Sequence, residues 1–260
     1  MTIPVLFLHG WTMRGAVFED VAERLGAEFT CYAPDLPGHG ERIDDTLSLD
    51  ACAALVDRWV SRLDRPLLVG WSMGAGAAWR YIEHHGTAAL RGLVTIDMSP
   101  RMLPAPDWDL GLLGQSAEAV LATSGRIEPD WPRMADSISR SMYARDSGPV
   151  FDRIAVREML LGQDPAVLRP LWDDLVAMDA RDTIAKIALP YLVCSGAQSR
   201  LYSREVADWI AETAEQAQVQ SFAHSGHSPH LEEPDAFCDA IRRFVAAHRL
   251  ATPEFEPEKT

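Results

Sequence analysis

A serine between two glycines is the feature of this sequence best suited to covalent chemistry. The pattern G-x-S-x-G spans residues 70–74, with Ser72 at its centre. An apolar run at 66–69 precedes it and small residues at 75–79 follow, which predicts a strand, a tight turn and a helix. Such a turn presents the serine hydroxyl clear of the sheet, facing the amide groups of the helix N-terminus. We therefore predict a nucleophilic Ser72, the alternative being a chance match in a loop.

A serine hydroxyl needs a base that removes its proton, and the base needs an orienting group. His227 is the best candidate for the base because it follows the last predicted strand in a Gly-His turn. Its position after the serine in the chain fits this role. His224 and His230 are the alternatives, although a histidine in such a position is more often a surface or packing residue.

Composition limits the classes of partner. The chain has 260 residues, 47% of them hydrophobic, and a formal net charge of −14, which disfavours nucleic acid and anionic membranes as partners. It shows neither an apolar run near the ~20 residues of a membrane span nor the basic start of a signal peptide.

Cysteine and histidine lack the spacing of metal ligands, so we expect neither metal nor cofactor. The cysteines are scattered in apolar segments, as in reduced cytoplasmic proteins: Cys31, Cys52, Cys194 and Cys238.

Apolar strand patterns alternate with amphipathic helix patterns along most of the chain. This alternation predicts an α/β fold with a mostly parallel, doubly wound sheet. In such sheets, sites form beyond the carboxyl ends of the strands. The residues with reactive or polar side chains at predicted strand ends are His9, Asp35, Ser72 and Asp97.

The strand rhythm is interrupted between residues 102 and 180. Amphipathic stretches at 117–122, 131–143, 150–161 and 167–178 predict a helical insertion that covers the site as a lid. The alternative is that these helices belong to the main fold. The predicted organisation is a core of residues 1–101 and 181–250, the lid at 102–180, and a frayed, Pro/Glu-rich tail at 251–260.

Several motifs together resemble those of carboxylesterases with the α/β-hydrolase fold. They are Leu8–Trp11, Asp35–Gly40, Gly70–Gly74, Pro190–Gly196 and Gly226–Glu232. The His-Gly-Trp and Gly-Trp-Ser triplets are similar to those of the pimeloyl-[acyl-carrier protein] methyl ester carboxylesterase group. That resemblance implies an acyl-carrier protein as a candidate partner. Members of the group usually begin with two more strands, so we expect a sheet of about six strands here.

The position that usually holds the catalytic acid in this family is occupied by Ser199, and no Asp or Glu occurs between Asp182 and Glu205. Asp97 ends the strand after the nucleophile strand, where some members of the superfamily carry their acid. Adjacent parallel strands lie about 4.8 Å apart, so Asp97 is within reach of the site. We predict Asp97 as the acid. The alternatives are a turn-forming Asp97 with a Ser–His dyad, or a distant carboxylate such as Asp35.

The resemblance also implies an oxyanion hole made by the backbone N–H groups of Trp11 and Met73, with His9 bracing the first of these loops. The expected activity is hydrolysis of carboxylic esters with short to medium acyl groups, through an acyl-enzyme. A serine nucleophile excludes haloalkane dehalogenases and epoxide hydrolases, which need a carboxylate at this position. The alternatives are a ligand receptor or slow pseudo-hydrolase, and a perhydrolase or haloperoxidase-like activity.

Two features of the predicted lid concern the substrate. An apolar inner face favours medium acyl groups, and its candidates are Leu112, Leu113, Val120, Leu121, Met142, Met159 and Leu160. A basic face would attract an acidic carrier protein, and its candidates are Arg133, Arg140, Arg145, Arg153 and Arg157. We favour the alternative, in which these arginines form a solvated surface paired with Asp136, Asp146 and Asp152.

Overall fold

A computed structural model describes residues 2–43, 46–144 and 153–250. Its strands form one six-stranded sheet in the order β2-β1-β3-β4-β5-β6, and every neighbouring pair is parallel. The predicted parallel sheet of about six strands is therefore confirmed. The strands are β1 (Ile3–Leu8), β2 (Phe29–Tyr32), β3 (Leu67–Trp71), β4 (Gly92–Ile96), β5 (Tyr191–Gly196) and β6 (Ala217–Phe222).

Helices cover both faces of this sheet. The α-helices are α1 (Glu19–Leu25), α2 (Leu49–Val60), α3 (Met73–His85), α4 (Ala117–Ile127), α5 (Trp131–Ser141), α6 (Arg153–Leu161), α7 (Pro165–Ala177), α8 (Arg181–Ile184), α9 (Arg204–Thr213), α10 (Pro229–Glu232) and α11 (Pro234–Ala247). Helices α1 and α11 pack together on one face, and α2 packs with α3 on the other. Within the described residues, no helix is long and apolar enough to cross a membrane.

Strand β1 shows why the strands read as continuous apolar runs. Leu6 and Leu8 pack into the core that contains α2 and α3, whereas Val5 and Phe7 pack into the core that contains α1 and α11. Successive side chains of a strand point to opposite faces, so a sheet covered on both sides needs apolar residues at every position. Such burial makes the sheet a rigid platform for the residues at its carboxyl edge.

Helices α4 to α7 lie between β4 and β5 in the chain. They match the helical stretches predicted at 117–122, 131–143, 150–161 and 167–178, although residues 145–152 lie outside the described ones, as does the predicted tail at 251–260. At the base of this insertion the two connecting segments meet. Ala180 N–H donates to Pro100 O at 2.9 Å, and Arg181 pairs with Asp107 and Asp179 at 2.9 and 2.7 Å.

Candidate active site

The predicted nucleophile lies in the turn between β3 and α3. Ser72 has φ 52° and ψ −117°, a backbone conformation that residues other than glycine rarely adopt. The turn is tight because α3 begins against β1: a Cβ at Gly74 would lie 2.1 Å from Leu8 O. Ser72 is partly exposed while Trp71 and Met73 on either side are buried. The backbone thus lifts this hydroxyl-bearing residue to the floor of a pocket.

The side chains of His227 and Asp97 are hydrogen-bonded to each other. His227 Nδ1 lies 2.7 Å from Asp97 Oδ2, and the side chains are 5% and 2% exposed. A carboxylate only accepts hydrogen bonds, so Nδ1 carries a proton and donates it to Asp97, and Nε2 is the ring nitrogen on the other side. Asp97 has φ 46° at the end of β4 and its N–H donates to Cys194 O at 2.9 Å. His227 and Ser72 line the same pocket.

Ser199, in the position where the family usually has its acid, also contacts Asp97. Its hydroxyl lies 2.7 Å from Asp97 Oδ2, the oxygen that His227 uses. Sequence reasoning identified the missing acid at this position but not this contact. The signal that could have found it is the small hydroxyl side chain itself, since a donor is what a neighbouring buried carboxylate requires.

The loop that carries His227 is held from two sides. The Trp71 indole N–H donates to His227 O at 2.8 Å. The Glu232 carboxylate accepts from Gly226 N–H and from Ala144 N–H, both at 2.7 Å, so it joins the histidine loop to the segment of the insertion that follows α5. Burial raises the pKa of Glu232 above its ordinary value. This network restricts the position of His227 independently of Asp97.

The loop after β1 passes directly over the nucleophile. A Cβ at Gly10 would lie 3.4 Å from Ser72 Cβ, so the next residue, Trp11, begins close to the serine. Met73, the residue after the serine, opens α3. Within the described part of the chain, no backbone carbonyl accepts a hydrogen bond from the N–H of Trp11 or Met73. Both amides are therefore available to a ligand, as an oxyanion hole requires.

Two buried histidines brace that loop. His9 Nε2 accepts from Leu36 N–H at 2.8 Å, and His39 Nε2 accepts from Thr12 N–H at 3.0 Å. Their Nδ1 atoms therefore carry the protons and donate to the carbonyls of Gly10 and Pro37 at 2.9 and 3.0 Å. Burial lowers the pKa of His9 to about 3 and that of His39 to about 4. The predicted bracing role of His9 agrees with this geometry.

The other candidates from the sequence lie elsewhere. Asp35 accepts from the N–H groups of Gly15 and Glu41 at 2.8 and 3.2 Å, so it shapes a loop. His224 is exposed. His230 packs against aromatic rings, neither of its ring nitrogens has a hydrogen-bond partner among the described residues, and burial lowers its pKa well below the ordinary value. The described residues contain no His, Cys, Asp or Glu cluster that could hold a metal ion.

A pocket of about 270 Å³ opens above Ser72 and His227. Of the apolar side chains proposed for the inner face of the lid, Leu112 and Met142 line it. The expectation is wrong for Leu113, Leu121 and Met159, which are 50%, 55% and 39% exposed. Val120 and Leu160 are buried but do not line the pocket, because they pack within the hydrophobic cores. The other apolar residues of the pocket wall are Trp11, Trp71, Met98, Met102, Met134, Ile138, Trp172, Leu175, Leu201 and Tyr202.

The rim of this pocket is polar. Arg126, Asp130 and Arg133 line it from α4, α5 and their connection, and both arginines are exposed. Asp136 pairs with Arg157 and, at 3.9 Å, with Arg140, as expected for a solvated surface. The other predicted members of the basic face and its partners, Arg145, Asp146 and Asp152, lie outside the described residues, as does the side chain of Arg153.

Comparison with known proteins agrees with this architecture. The Xanthomonas campestris pv. campestris pimeloyl-[acyl-carrier protein] methyl ester esterase is 30% identical over 256 residues, 94% of this chain and 95% of the relative. The esterase of the same name from Stenotrophomonas maltophilia is 29% identical, and the alignment covers 94% of this chain and 93% of the relative. An Exiguobacterium antarcticum esterase structure has a TM-score of 0.84 at 22% identity, covering 94% of this chain and 92% of its own.

A bromoperoxidase structure from Bacillus anthracis also has a TM-score of 0.84, at 19% identity, with 95% of this chain and 92% of that chain covered. At these identities the structural likeness shows the fold. Residues 5–240 match the model of the alpha/beta hydrolase family, which is most of the chain. With the parallel sheet, the strained serine turn and this match in agreement, the chain belongs to the alpha/beta hydrolase family.

Proposed function

We propose that this protein is a serine hydrolase that cleaves carboxylic esters through an acyl-enzyme. In this proposal Ser72 is the nucleophile, His227 the general base and Asp97 the acid that orients it. The observation that carries the proposal is the buried 2.7 Å bond between His227 Nδ1 and Asp97 Oδ2, beside a serine held at φ 52°. The names of the relatives, which are methyl ester esterases, support the same class of reaction.

Acylation begins when the Ser72 hydroxyl attacks the ester carbonyl carbon. His227 Nε2 takes the hydroxyl proton, and the nearly unexposed Asp97 carboxylate stabilises the resulting imidazolium. The carbonyl oxygen becomes an oxyanion, which the N–H groups of Trp11 and Met73 stabilise. His227 then gives its proton to the departing alkoxide, so the alcohol leaves and the acyl group remains on Ser72.

Deacylation repeats these steps with water. His227 removes a proton from a water molecule, the hydroxide attacks the acyl carbon, and the proton returns to Ser72 as the acid leaves. The apolar wall of a pocket of about 270 Å³ supports short to medium acyl groups as substrates.

The names of the relatives support a finer proposal, that the acyl group is carried on an acyl-carrier protein. Such carriers are acidic, and this chain has a net charge of −14, so docking needs local positive charge. Arg126 and Arg133 at the pocket rim supply it. The alternative substrate is an ester that is not attached to a carrier protein.

The test is hydrolysis of p-nitrophenyl butyrate by wild type and three variants. We expect Ser72→Ala to abolish turnover and Asp97→Asn to lower kcat by about 10⁴-fold. Asp35→Asn is the matched control, because Asp35 accepts from Gly15 N–H, Glu41 N–H and the Arg14 side chain, and we expect it to retain most of the activity. Repeating the assay with methyl pimelate and with the pimeloyl methyl ester of a carrier protein tests the finer proposal, which predicts the higher kcat/KM on the carrier.

Each outcome has a distinct meaning. Full activity in Asp97→Asn would indicate a Ser–His dyad, and a large loss in Asp35→Asn would move the acid to that residue. Wild type no faster than Ser72→Ala across a panel of acyl lengths would overturn the hydrolase and favour a ligand receptor on the same fold.

A further inference from the structure

We propose that Ser199 is a positioning residue that holds the Asp97 carboxylate toward His227. The inference rests on the proposed function, since it concerns the acid of that mechanism. It goes further by assigning a role to a side chain that is neither nucleophile, base nor acid. The geometry behind it is one carboxylate oxygen, Asp97 Oδ2, with two donors at 2.7 Å: the Ser199 hydroxyl and His227 Nδ1–H.

The Ser199 hydroxyl can act only as a donor to Asp97. Its oxygen already accepts the N–H groups of Leu201 and Tyr202, each at 3.3 Å. A hydroxyl has one proton and two lone pairs, so these amides occupy the lone pairs and leave the proton for Asp97. The loop after β5 thus presents to Asp97 Oδ2 a donor of fixed direction.

The rest of Asp97 has little to hold it. Its other oxygen, Oδ1, has a long contact of 3.4 Å with Gly196 N–H. A buried carboxylate with a single partner on Oδ2 could rotate about its Cβ–Cγ bond, which is a soft torsion. Two strong donors converging on Oδ2 restrict that rotation, because turning the carboxylate would break both bonds. Ser199 therefore contributes to the orientation of His227 through Asp97.

The backbone at Ser199 is held partly by bonds that do not involve its side chain. Ser199 N–H donates to Gly196 O at 3.1 Å, and the adjacent Gln198 N–H donates to Ser225 O at 2.9 Å. These bonds remain when the hydroxyl is removed, whereas Ser199→Ala deletes both the donor to Asp97 and the acceptor of the Leu201 and Tyr202 amides. The test therefore needs readouts at His227 that a change in the turn alone would not move.

The experiment compares Ser199→Ala, Ser199→Thr and Ser195→Ala with wild type. Thr keeps the hydroxyl, and Ser195 is the matched control because its buried Oγ, on the same strand end, has no hydrogen-bond partner among the described residues. We expect Ser199→Ala to lower kcat by about 10- to 100-fold with KM within about twofold, as for a lost bond to a charged group. Ser199→Thr should recover most of kcat, and Ser195→Ala should leave it unchanged.

Two further readouts distinguish positioning from general damage. Without the Ser199 donor, more of the Asp97 charge acts on His227, which favours the imidazolium. The acid limb of kcat/KM should therefore move to higher pH in Ser199→Ala. Glu232, His230 and Tyr202 also face His227 and are unchanged in all variants. The downfield proton resonance of His227 Nδ1–H should shift in Ser199→Ala and not in Ser195→Ala.

The inference is overturned if Ser199→Ala keeps the wild-type kcat, pH profile and proton resonance. A uniform loss of activity with unchanged pH profile and resonance, matched by a lower melting temperature, would also overturn it in favour of a structural serine. Failure of the proposed function looks different: wild type itself would show no hydrolysis above Ser72→Ala.

Discussion

At the scale of single residues, the strain at Ser72 is the clearest sign of a chemical role. A side chain at φ 52° and ψ −117° costs of the order of 1–3 kcal/mol, and a fold keeps it only where its surroundings impose it. Here the close packing of α3 on β1 at Gly74 leaves the turn no room to relax. Asp97, at φ 46°, is a second residue in a strained conformation, and it is the proposed acid that orients His227.

This strain predicts an unusual order of stabilities at Ser72. Because only glycine adopts this conformation readily, we expect Ser72→Gly to be more stable than Ser72→Ala by about 1–2 kcal/mol. The measurement is the free energy of unfolding in urea. Ser137, inside α5, is the control, and there the alanine variant should be the more stable by about 1 kcal/mol. The same order at both positions would contradict a strained Ser72.

At the scale of elements, the insertion contacts the loop that supplies Trp11. The Trp11 indole N–H donates to Leu168 O of α7 at 3.0 Å, and Gln163, just before α7, donates to Thr12 O at 2.7 Å. Thr12 has φ 70°, so this loop is itself held in a rare conformation. The insertion therefore contributes to the geometry of the proposed oxyanion hole as well as to the pocket wall.

Removing one of these contacts should affect turnover more than folding. We expect Gln163→Ala to lower kcat by up to about tenfold, because one neutral hydrogen bond to the loop contributes roughly 0.5–1.5 kcal/mol. The assay is p-nitrophenyl butyrate hydrolysis, with the melting temperature measured in parallel. Gln220→Ala on β6 is the control, since the Gln220 side chain bonds to Ser221 O and to Arg243, both outside the loop after β1. An unchanged kcat in Gln163→Ala would show that the loop holds its shape without the insertion.

At the scale of the whole molecule, buried neutral histidines make stability depend on pH. His9 and His39 keep pKa values of about 3 and about 4 in the fold, against 6.5 when exposed. Between these values the unfolded chain binds protons that the folded protein does not. The free energy of unfolding is therefore not reduced by these histidines above pH 6.5. It decreases as the pH falls from 6.5 toward 4, because protonation favours the unfolded chain.

We expect each of these histidines to cost about 2 kcal/mol of stability between pH 7.5 and pH 5. The measurement is the free energy of urea unfolding across this range. His39→Gln removes one titrating group, so its stability should fall less steeply with acid than that of wild type. Equal slopes for wild type and His39→Gln would show that His39 is already protonated or accessible.

The sequence by itself determined the parallel sheet, the serine turn and the family. These features follow from local patterns: apolar runs for strands buried on both faces, and small residues where β3 meets α3. It also named Ser72, His227 and Asp97, because each follows a recognisable strand. The division of the chain into a core and a lid at residues 102–180 stays a prediction. So do the chemical roles of these three residues.

Only the tertiary structure decided what each loop contacts. The hydroxyl of Ser199 meets Asp97 across 102 positions of the chain, and the indole of Trp11 meets Leu168 across 157. No local pattern encodes such contacts, since they depend on how β4 and β5 lie side by side and on how α7 folds back. The same reason explains the wrong assignments at Leu121 and Met159: periodicity marks the apolar positions of a helix but not which neighbour covers them.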